Sequence, residues 1–166
     1  MIITITGTPG AGKTYFSKKL AKQSKTKYFD LNNYIKKNKL YDSYDKRDKT
    51  FDVDIKKLVK VVDPIMKKYL GNAVFQKPKK EYLIKEFLAL KQHKLDNSII
   101  IDSHLSHYLK SDLCIVITSD IKTLNRRLKQ RDYSKKKIED NIASEIFRIC
   151  YEEAQSLNKH VILIKN

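Results

Sequence analysis

The chain has few of the residues that break or cross-link a polypeptide: its 166 residues include four glycines, three prolines, two cysteines and no tryptophan. Two cysteines do not form the disulfide framework of a small secreted domain. Cys114 and Cys150 lie in apolar segments, which predicts core thiols in a reducing compartment. No apolar run is long enough to cross a bilayer, so we expect a soluble, cytoplasmic protein without a membrane partner. The length predicts one domain over residues 1–166.

The glycines are spread unevenly, since three of the four fall within one eight-residue stretch, Gly7-Thr8-Pro9-Gly10-Ala11-Gly12-Lys13-Thr14. This stretch follows an apolar run at residues 2–6 and precedes a segment with apolar residues at helical spacing. It fits the pattern G-x-x-x-x-G-K-[ST] in the required context of strand, turn and helix, which argues against a chance match. The pattern predicts a loop that binds the phosphates of a nucleoside triphosphate.

Each residue type in this loop has a chemical reason to be there. Glycines allow backbone N–H groups to face inward and approach phosphate oxygens without an intervening Cβ. Lys13 can bring a positive charge to the β- and γ-phosphates, and the Thr14 hydroxyl can ligate Mg²⁺. The helix that follows also points its positive end at the anion.

Short apolar strands organise the chain. They are predicted at residues 2–6, 27–30, 98–102, 113–118 and 161–164. Because these strands do not alternate apolar and polar residues, they indicate a parallel sheet covered by helices on both faces. We therefore predict a three-layer α/β P-loop NTPase fold with a parallel sheet of about five strands.

Further helices are predicted at residues 13–24, at residues 32–38 (a polar helix), at residues 121–131 and at residues 138–157. The last is predicted as one continuous helix with an apolar face formed by Ile142, Ile146, Ile149 and Cys150. Another helical pattern, over residues 55–66, contains Pro64, which we expect to kink or break the helix. A further pattern lies at residues 82–90.

A phosphate loop requires an acidic residue at the end of a neighbouring strand, where it holds Mg²⁺ through water. Asp102 fits that position after the apolar run at residues 99–101. His104 could orient a water molecule or a phosphate oxygen, and a surface histidine without a role is the alternative. A metal site formed by Asp102, His104 and His107 is a further alternative, although no fourth ligand is evident.

Arginine is scarce in this chain, and three of its five arginines lie close together, as Arg126, Arg127 and Arg131. The planar guanidinium group binds phosphate oxygens with two hydrogen bonds, which suggests a specific site. Arg127 and Arg131 share one helix face, from which they could neutralise charge during phosphoryl transfer. Arg126 points elsewhere. A solvated helix end is the alternative.

The formal net charge of +16 comes from 35 Lys and Arg residues against 19 Asp and Glu residues. Lysine spread through every segment is typical of a compositional bias or of a surface rich in ion pairs. A basic surface matched to an anionic partner such as RNA is the alternative. The charge alone does not decide between the two.

Five blocks of the chain, in this order, resemble the adenylate kinase isoenzyme 6 family in its archaeal form. They are GTPGAGKT at 7–14, LYDSYD at 40–45, IDSH at 101–104, RLKQRDYS at 127–134, and KIEDNIASEIF at 137–147, which runs into YEEA at 151–154. The phosphate loop alone would be unspecific, but the arginine–tyrosine segment followed by that helix is close to a family signature.

The resemblance implies a nucleoside monophosphate kinase with a lid, which converts ATP and AMP to two ADP with Mg²⁺. It also implies ATPase activity and a role in maturation of the small ribosomal subunit. The partners would then be a small-subunit ribosomal protein and pre-ribosomal RNA. An ATPase assembly factor for pre-ribosomes, with incidental kinase activity, is the alternative.

The resemblance also assigns site residues by motif. The contacts to ATP would come from Gly10, Ala11, Gly12, Lys13, Thr14, Tyr15 and Arg131. The catalytic residues would be Lys13, Asp102, His104, Arg127 and Arg131, with Thr14 and Asp102 at the Mg²⁺. The lid would span about residues 130–140 and the monophosphate-binding module about residues 30–53, in which Asn33 and Lys36 would face the acceptor.

The chain departs from the family pattern at four points. Tyr15 stands where a second threonine is usual, and Lys36 stands where arginine is common. The connection over residues 64–97 is longer than usual. The sequence ends at Asn166, where relatives continue with contacts near the adenine, so we expect loose selectivity for the donor base.

Overall fold

The computed structural model describes residues 1–70 and 98–166. The strands are β1 (Ile2–Thr6), β2 (Lys27–Asp30), β3 (Ser43–Asp45), β4 (Thr50–Asp52), β5 (Ile99–Asp102), β6 (Leu113–Thr118) and β7 (Val161–Lys165). The helices are α1 (Lys13–Gln23), α2 (Leu31–Lys37), α3 (Ile55–Leu70), α4 (Ile121–Lys129), α5 (Lys135–Ile146) and α6 (Ile149–Leu157), with a 3₁₀ turn at Ser106–Tyr108. Within the described residues, no helix is both long and apolar enough to cross a membrane.

Five strands form one parallel sheet in the order β2-β5-β1-β6-β7, which confirms the predicted fold class and all five predicted strands. The strands are rich in β-branched residues, and β5 is buried along its whole length, as expected of a sheet covered on both faces. In the register of β1 and β5, Ile5 lies beside Asp102. The loop after β1 and the acid that ends β5 therefore meet at one edge of the sheet.

Alternate side chains of the sheet pack against helices on opposite faces. Ile100 belongs to a cluster with residues of α1, whereas Ile99 and Ile101 pack with residues of α2 and α3 on the other side. Cys114 of β6 is buried, as predicted, and packs against Ala154 of α6. Each apolar side chain buried in this way contributes roughly 1.5–3 kcal/mol. The sheet is thereby fixed as the middle layer.

Helix α3 continues through Pro64, so the predicted break at this residue is wrong. Proline in a helix interior removes one hydrogen bond and costs roughly 3 kcal/mol. However, Leu58, Val62 and Met66 of α3 are all buried against the sheet, and three such side chains together contribute more than that. Tertiary packing therefore overrides the local preference of proline.

The region predicted as one helix over residues 138–157 forms two helices, because Arg148 adopts a left-handed conformation with a φ of 54°. Ile146 and Ile149 flank this break and are 57% and 43% exposed, so the predicted continuous apolar face is wrong. The change of direction at Arg148 lets Ala154 pack on the sheet. Cys150 is partly buried and packs against the core cluster of Cys114 and Ala154, as expected, and it also lines a cavity.

Strands β3 and β4 form an antiparallel hairpin that the sequence pattern does not predict, since each strand has three residues and most of them are exposed. Phe51 contacts Tyr41 and Tyr44, with ring centroids 4.5 and 4.7 Å away. These aromatic contacts stabilise the hairpin. The helical pattern at residues 82–90 and most of the long connection over residues 64–97 lie outside the described residues.

Candidate active site

The phosphate loop between β1 and α1 requires glycine at two positions. Gly7 has a φ of 135°, and a Cβ there would lie 2.2 Å from the carbonyl oxygen of Ile117. Gly12 has a φ of 101°, and a Cβ there would lie 2.1 Å from Asn166 Nδ2. At Gly7 both the backbone conformation and the fixed carbonyl oxygen exclude a side chain, and at Gly12 the positive φ disfavours one. The loop thus leads directly into the first turn of α1, whose N–H groups are available to an anion.

Lys13 is buried, and its ammonium group donates a hydrogen bond to the carbonyl of Thr8 at 3.0 Å. Burial lowers the pKa of Lys13 from 10.5 to about 8, although the negative charge of Asp102 opposes this shift. An ammonium group has three donors, and among residues 1–70 and 98–166 only one of them is used, by the carbonyl of Thr8. The group is therefore suited to bind the oxygens of a phosphate.

Asp102 ends β5 and is only 2% exposed. The Tyr28 hydroxyl, from neighbouring β2, donates to Asp102 Oδ2 at 3.0 Å, while Oδ1 has no hydrogen-bond partner among the described residues. Burial and the charge of Asp102 raise the pKa of Tyr28, which keeps its hydroxyl protonated as a donor. Sequence patterns miss Tyr28, because only the pairing of β2 with β5 brings it to the site.

A buried carboxylate oxygen without a partner fits the Mg²⁺ that a phosphate loop implies. Mg²⁺ is usually bound by one or two protein oxygens together with substrate phosphates and water. Asp102 and the Thr14 hydroxyl could supply those oxygens. In the described part of the chain, no three His, Cys, Asp or Glu residues are placed to hold a metal ion. The alternative metal site of Asp102, His104 and His107 is therefore wrong.

The two histidines after β5 have different surroundings. His107 is buried, with Nδ1 2.8 Å from the Thr6 hydroxyl and Nε2 3.2 Å from Glu153 Oε2. Burial lowers the pKa of His107, and the carboxylate of Glu153 opposes this shift. His104 borders a cavity, and burial together with the charge of Lys13 lowers its pKa to about 4. His104 is therefore a neutral imidazole near pH 7.

The two predicted lid arginines lie in different places. Arg127 donates from Nη1 to the carbonyl oxygens of Gly10 and Ala11, both at 3.3 Å, and so supports the outer side of the phosphate loop. Arg131 follows α4 and is exposed, with Nη1 3.4 Å from the Tyr133 hydroxyl. Arg131 is thus the arginine that can turn towards a ligand without releasing the loop.

Two cavities open at this edge of the sheet, and Lys13, Thr14 and Arg131 line both of them. The first cavity, about 530 Å³, is bordered by α2, the β3–β4 hairpin and α5. The second cavity, about 590 Å³, lies over the phosphate loop and beside α4. Each has the size of a small-molecule site. Two ligands can therefore meet at the three shared residues.

The two residues predicted to face an acceptor are not among the described residues that line either cavity. Asn33 and Lys36 are exposed on α2, and the Asn33 backbone N–H donates to Asp30 Oδ1 at the start of that helix. Asn32 and Ile35, each one position earlier on the same helix, do line the first cavity. Helix α2 therefore lies at the site, as expected, but the face that lines the cavity carries Asn32 and Ile35 rather than Asn33 and Lys36.

The predicted lid touches the tip of the predicted monophosphate-binding module beside the first cavity. Lys49 Nζ lies 3.0 Å from Asp132 Oδ2. Lys137 donates to the carbonyl of Asp48 and to the hydroxyl of Thr50. Both lysines line the first cavity, so they place positive charge in its wall.

Glu145 of α5 is a second contributor that the sequence patterns do not single out. Its carboxylate accepts hydrogen bonds from the Thr8 hydroxyl and, at 2.7 Å, from the backbone N–H of Ser119. It therefore connects the helix after the lid to the phosphate loop and to the residues before α4. These contacts join distant segments, so spacing along the chain does not reveal them.

The lowered pKa of Lys13 predicts a pH-dependent affinity for a nucleoside triphosphate. Charged Lys13 attracts phosphate, and a pKa of about 8 means that the free protein loses this charge as the pH rises through 8. We expect the Kd to rise roughly 10- to 30-fold between about pH 7 and pH 9.5, measured by calorimetry. A Lys13→Arg variant stays charged and should lack this inflection. A constant Kd in the wild-type protein would contradict the argument.

The hydrogen bond from Tyr28 to Asp102 predicts an effect on metal binding. In a Tyr28→Phe variant, the Asp102 carboxylate loses the group that orients it, and we expect the affinity for Mg²⁺ in the presence of nucleotide to fall about 10-fold. Calorimetric titration of the nucleotide complex with Mg²⁺ or Mn²⁺ measures this directly. A Tyr34→Phe variant, which removes a hydroxyl from α2, is the control. Equal metal affinity in both variants would show that Tyr28 has no such role.

Comparisons with known proteins show which family the chain belongs to. A family model described as "AAA domain" matches residues 3–148. The chain is 33% identical over 155 residues to a Methanocaldococcus jannaschii protein named "Putative adenylate kinase", which covers 93% of this chain and 72% of that protein. It is 30% identical over 156 residues to the "Adenylate kinase isoenzyme 6 homolog" of Schizosaccharomyces pombe, covering 92% and 73%.

Among solved structures, a shikimate kinase from Bacteroides thetaiotaomicron aligns with a TM-score of 0.48 and 16% identity, over 98% of this chain and 85% of that one. The sequence relatives align over nearly the whole chain, and the matched family model includes both the phosphate loop and Asp102. The chain therefore belongs to the adenylate kinase isoenzyme 6 family of P-loop proteins.

Proposed function

We propose that the protein is an ATP-dependent nucleoside monophosphate kinase that converts ATP and AMP to two molecules of ADP. The observation that carries the proposal is the pair of cavities that share Lys13, Thr14 and Arg131. Phosphoryl transfer between two nucleotides needs both sets of phosphates at one point. The second cavity, over the phosphate loop, suits the donor, and the first cavity suits the acceptor.

The wall of the first cavity has the composition that an acceptor nucleotide requires. It combines the lysines Lys49 and Lys137 with the apolar side chains of Ile35 and Phe51. This combination suits a ligand that is anionic at one end and planar and apolar at the other. The name of the Methanocaldococcus jannaschii relative, "Putative adenylate kinase", supports AMP as that ligand.

The reaction requires the protein to position the substrates and neutralise their charge, and it does not require a general base. The attacking oxygen of an acceptor phosphate is already anionic, so no proton has to be removed from it. Lys13 would hold the donor phosphates, and Arg131, which borders both cavities, would neutralise charge on the transferring group. Mg²⁺, with Thr14 and Asp102 as its nearest protein groups, would supply further neutralisation of the phosphate charge.

Exclusion of water decides whether such a site transfers phosphate or hydrolyses ATP. The contacts of Lys49 with Asp132, and of Lys137 with Asp48 and Thr50, join the predicted lid to the predicted monophosphate-binding module beside the first cavity. With an acceptor bound behind these contacts, water has less access to the donor phosphates. A lid held against the module by these contacts would therefore favour transfer to a nucleotide over hydrolysis.

The direct test is ADP formation from ATP and Mg²⁺, with and without AMP. We expect a large AMP-dependent rise, with two ADP formed for each AMP consumed. Lys13→Ala should lower the rate at least about 100-fold, because it removes the charge on the donor phosphates. Lys22→Ala, which removes an exposed lysine from the same helix, is the control. ADP release that is unaffected by AMP and matched by free phosphate would overturn the kinase proposal.

ATP hydrolysis is the second candidate function, and His104 is the observation that favours it. A neutral imidazole in the wall of the first cavity can orient an attacking water molecule. In this alternative, the protein is an ATPase assembly factor whose kinase activity is incidental. The assay above separates the two activities, because only hydrolysis releases phosphate without AMP.

A role in maturation of the small ribosomal subunit is proposed from the family resemblance, with a small-subunit ribosomal protein and pre-ribosomal RNA as partners. The net charge of +16 does not by itself separate an RNA-binding surface from a compositional bias, whereas the salt dependence of RNA binding does. If many lysines contact RNA phosphates, affinity for a small-subunit rRNA fragment should fall on the order of 10³-fold between about 50 and 200 mM salt. Fluorescence anisotropy measures this. Absent or salt-independent binding would contradict an RNA-binding surface.

A further inference from the structure

We infer that the ring of Tyr15 is the surface on which the base of the donor nucleotide packs, in the second cavity beside Arg127. The inference rests on one part of the proposed function, which is that the second cavity binds a nucleoside triphosphate. Tyr15 follows Thr14 in the first turn of α1, and its side chain is 69% exposed. Tyr15 is also one of the residues that line the second cavity. A large aromatic side chain left exposed beside a nucleotide cavity is available to a planar ligand.

Two other planar groups line the same cavity and are fixed in place. The guanidinium of Arg127 donates to the carbonyl oxygens of Gly10 and Ala11. The carboxamide of Asn166 donates to the carbonyl of Ala11 at 2.9 Å. The Asn166 backbone N–H donates to the backbone carbonyl of Thr118 at 2.8 Å. Guanidinium groups stack on flat π systems as well as forming hydrogen bonds. Together with Tyr15, these groups favour a planar ligand.

The ring of Tyr15, rather than its hydroxyl, is the recognition element. The phosphates already have partners in Lys13, Thr14 and the N–H groups of the loop. No hydrogen bond to the Tyr15 hydroxyl is present among residues 1–70 and 98–166. Lys19 Nζ lies 5.9 Å from the ring centroid, which is at the limit of a cation–π contact and leaves the ring accessible.

Recognition by stacking predicts weak discrimination between bases. Every base has a π face, whereas selectivity requires hydrogen bonds to the edge of the base. Arg127 Nη1 and Asn166 Nδ2 already donate hydrogen bonds to carbonyl oxygens of the phosphate loop. We therefore expect the affinities for ATP, GTP, CTP and UTP to agree within about 10-fold, with purines bound more tightly because they stack over a larger area.

The absence of tryptophan from the chain gives a direct experiment. A Tyr15→Trp variant carries a single tryptophan at the proposed contact, and its fluorescence should change on addition of Mg²⁺–ATP or Mg²⁺–GTP. Mg²⁺–tripolyphosphate, which has no base, should bind without that change. Phe147→Trp is the matched control, because Phe147 is 70% exposed and does not line either cavity. Its emission should not respond to nucleotide.

Affinity measurements on two further variants separate the ring from the hydroxyl. Tyr15→Thr, which introduces the residue usual in the family, should weaken ATP binding about 5-fold or more without affecting tripolyphosphate. Tyr15→Phe keeps the ring and should bind ATP within about 2-fold of the wild type.

Either of two results would overturn the inference about Tyr15. The first is unchanged emission of the Tyr15→Trp variant when calorimetry shows that ATP is bound. The second is an ATP affinity of the Tyr15→Thr variant equal to that of the wild type. Both leave the kinase proposal intact, because AMP-dependent ADP formation tests that separately. Failure of the wild-type protein to bind ATP would overturn both.

Discussion

Burial of one positive charge, the ammonium group of Lys13, is the constraint on which the rest of the site depends. Removing such a charge from water is costly unless other groups compensate it. The carbonyl of Thr8 accepts one hydrogen bond from it, and the negative charge of Asp102 attracts it. The compensation is incomplete, since burial still lowers the pKa of Lys13 to about 8. A polyphosphate would supply the missing negative charge, so the folded chain favours anion binding at this point.

The groups around Lys13 are held in place by other elements of the fold. Thr8 donates to Glu145, Asp102 accepts from Tyr28, and the carbonyls of the loop accept from Arg127. Each of these partners comes from a different strand or helix, so the site forms only when the whole sheet and its helices are assembled. Groups that are already oriented stabilise a developing charge without reorganisation during the reaction. The same arrangement that stabilises the loop therefore also serves phosphoryl transfer.

Local features of the sequence predict the sheet, the phosphate loop and Asp102, because each depends on residue types within a few positions of one another. The unbroken α3 at Pro64 and the left-handed Arg148 depend on packing between elements, which local preferences do not contain. Tyr28 and Glu145 reach the site from distant segments, so only strand order and helix placement reveal them. The family resemblance predicts a lid and a monophosphate-binding module, but it does not predict which face of α2 lines the first cavity.

The most direct test of the account is whether one molecule can occupy both cavities at once. Two adenosines joined through five phosphates would span the shared residues Lys13, Thr14 and Arg131. Calorimetry should find one such molecule bound per chain, at least about 100-fold more tightly than ATP, because the second contact becomes intramolecular. Both ATP and AMP should compete with it. Affinity equal to that of ATP, together with no competition by AMP, would contradict a site in which two nucleotides meet.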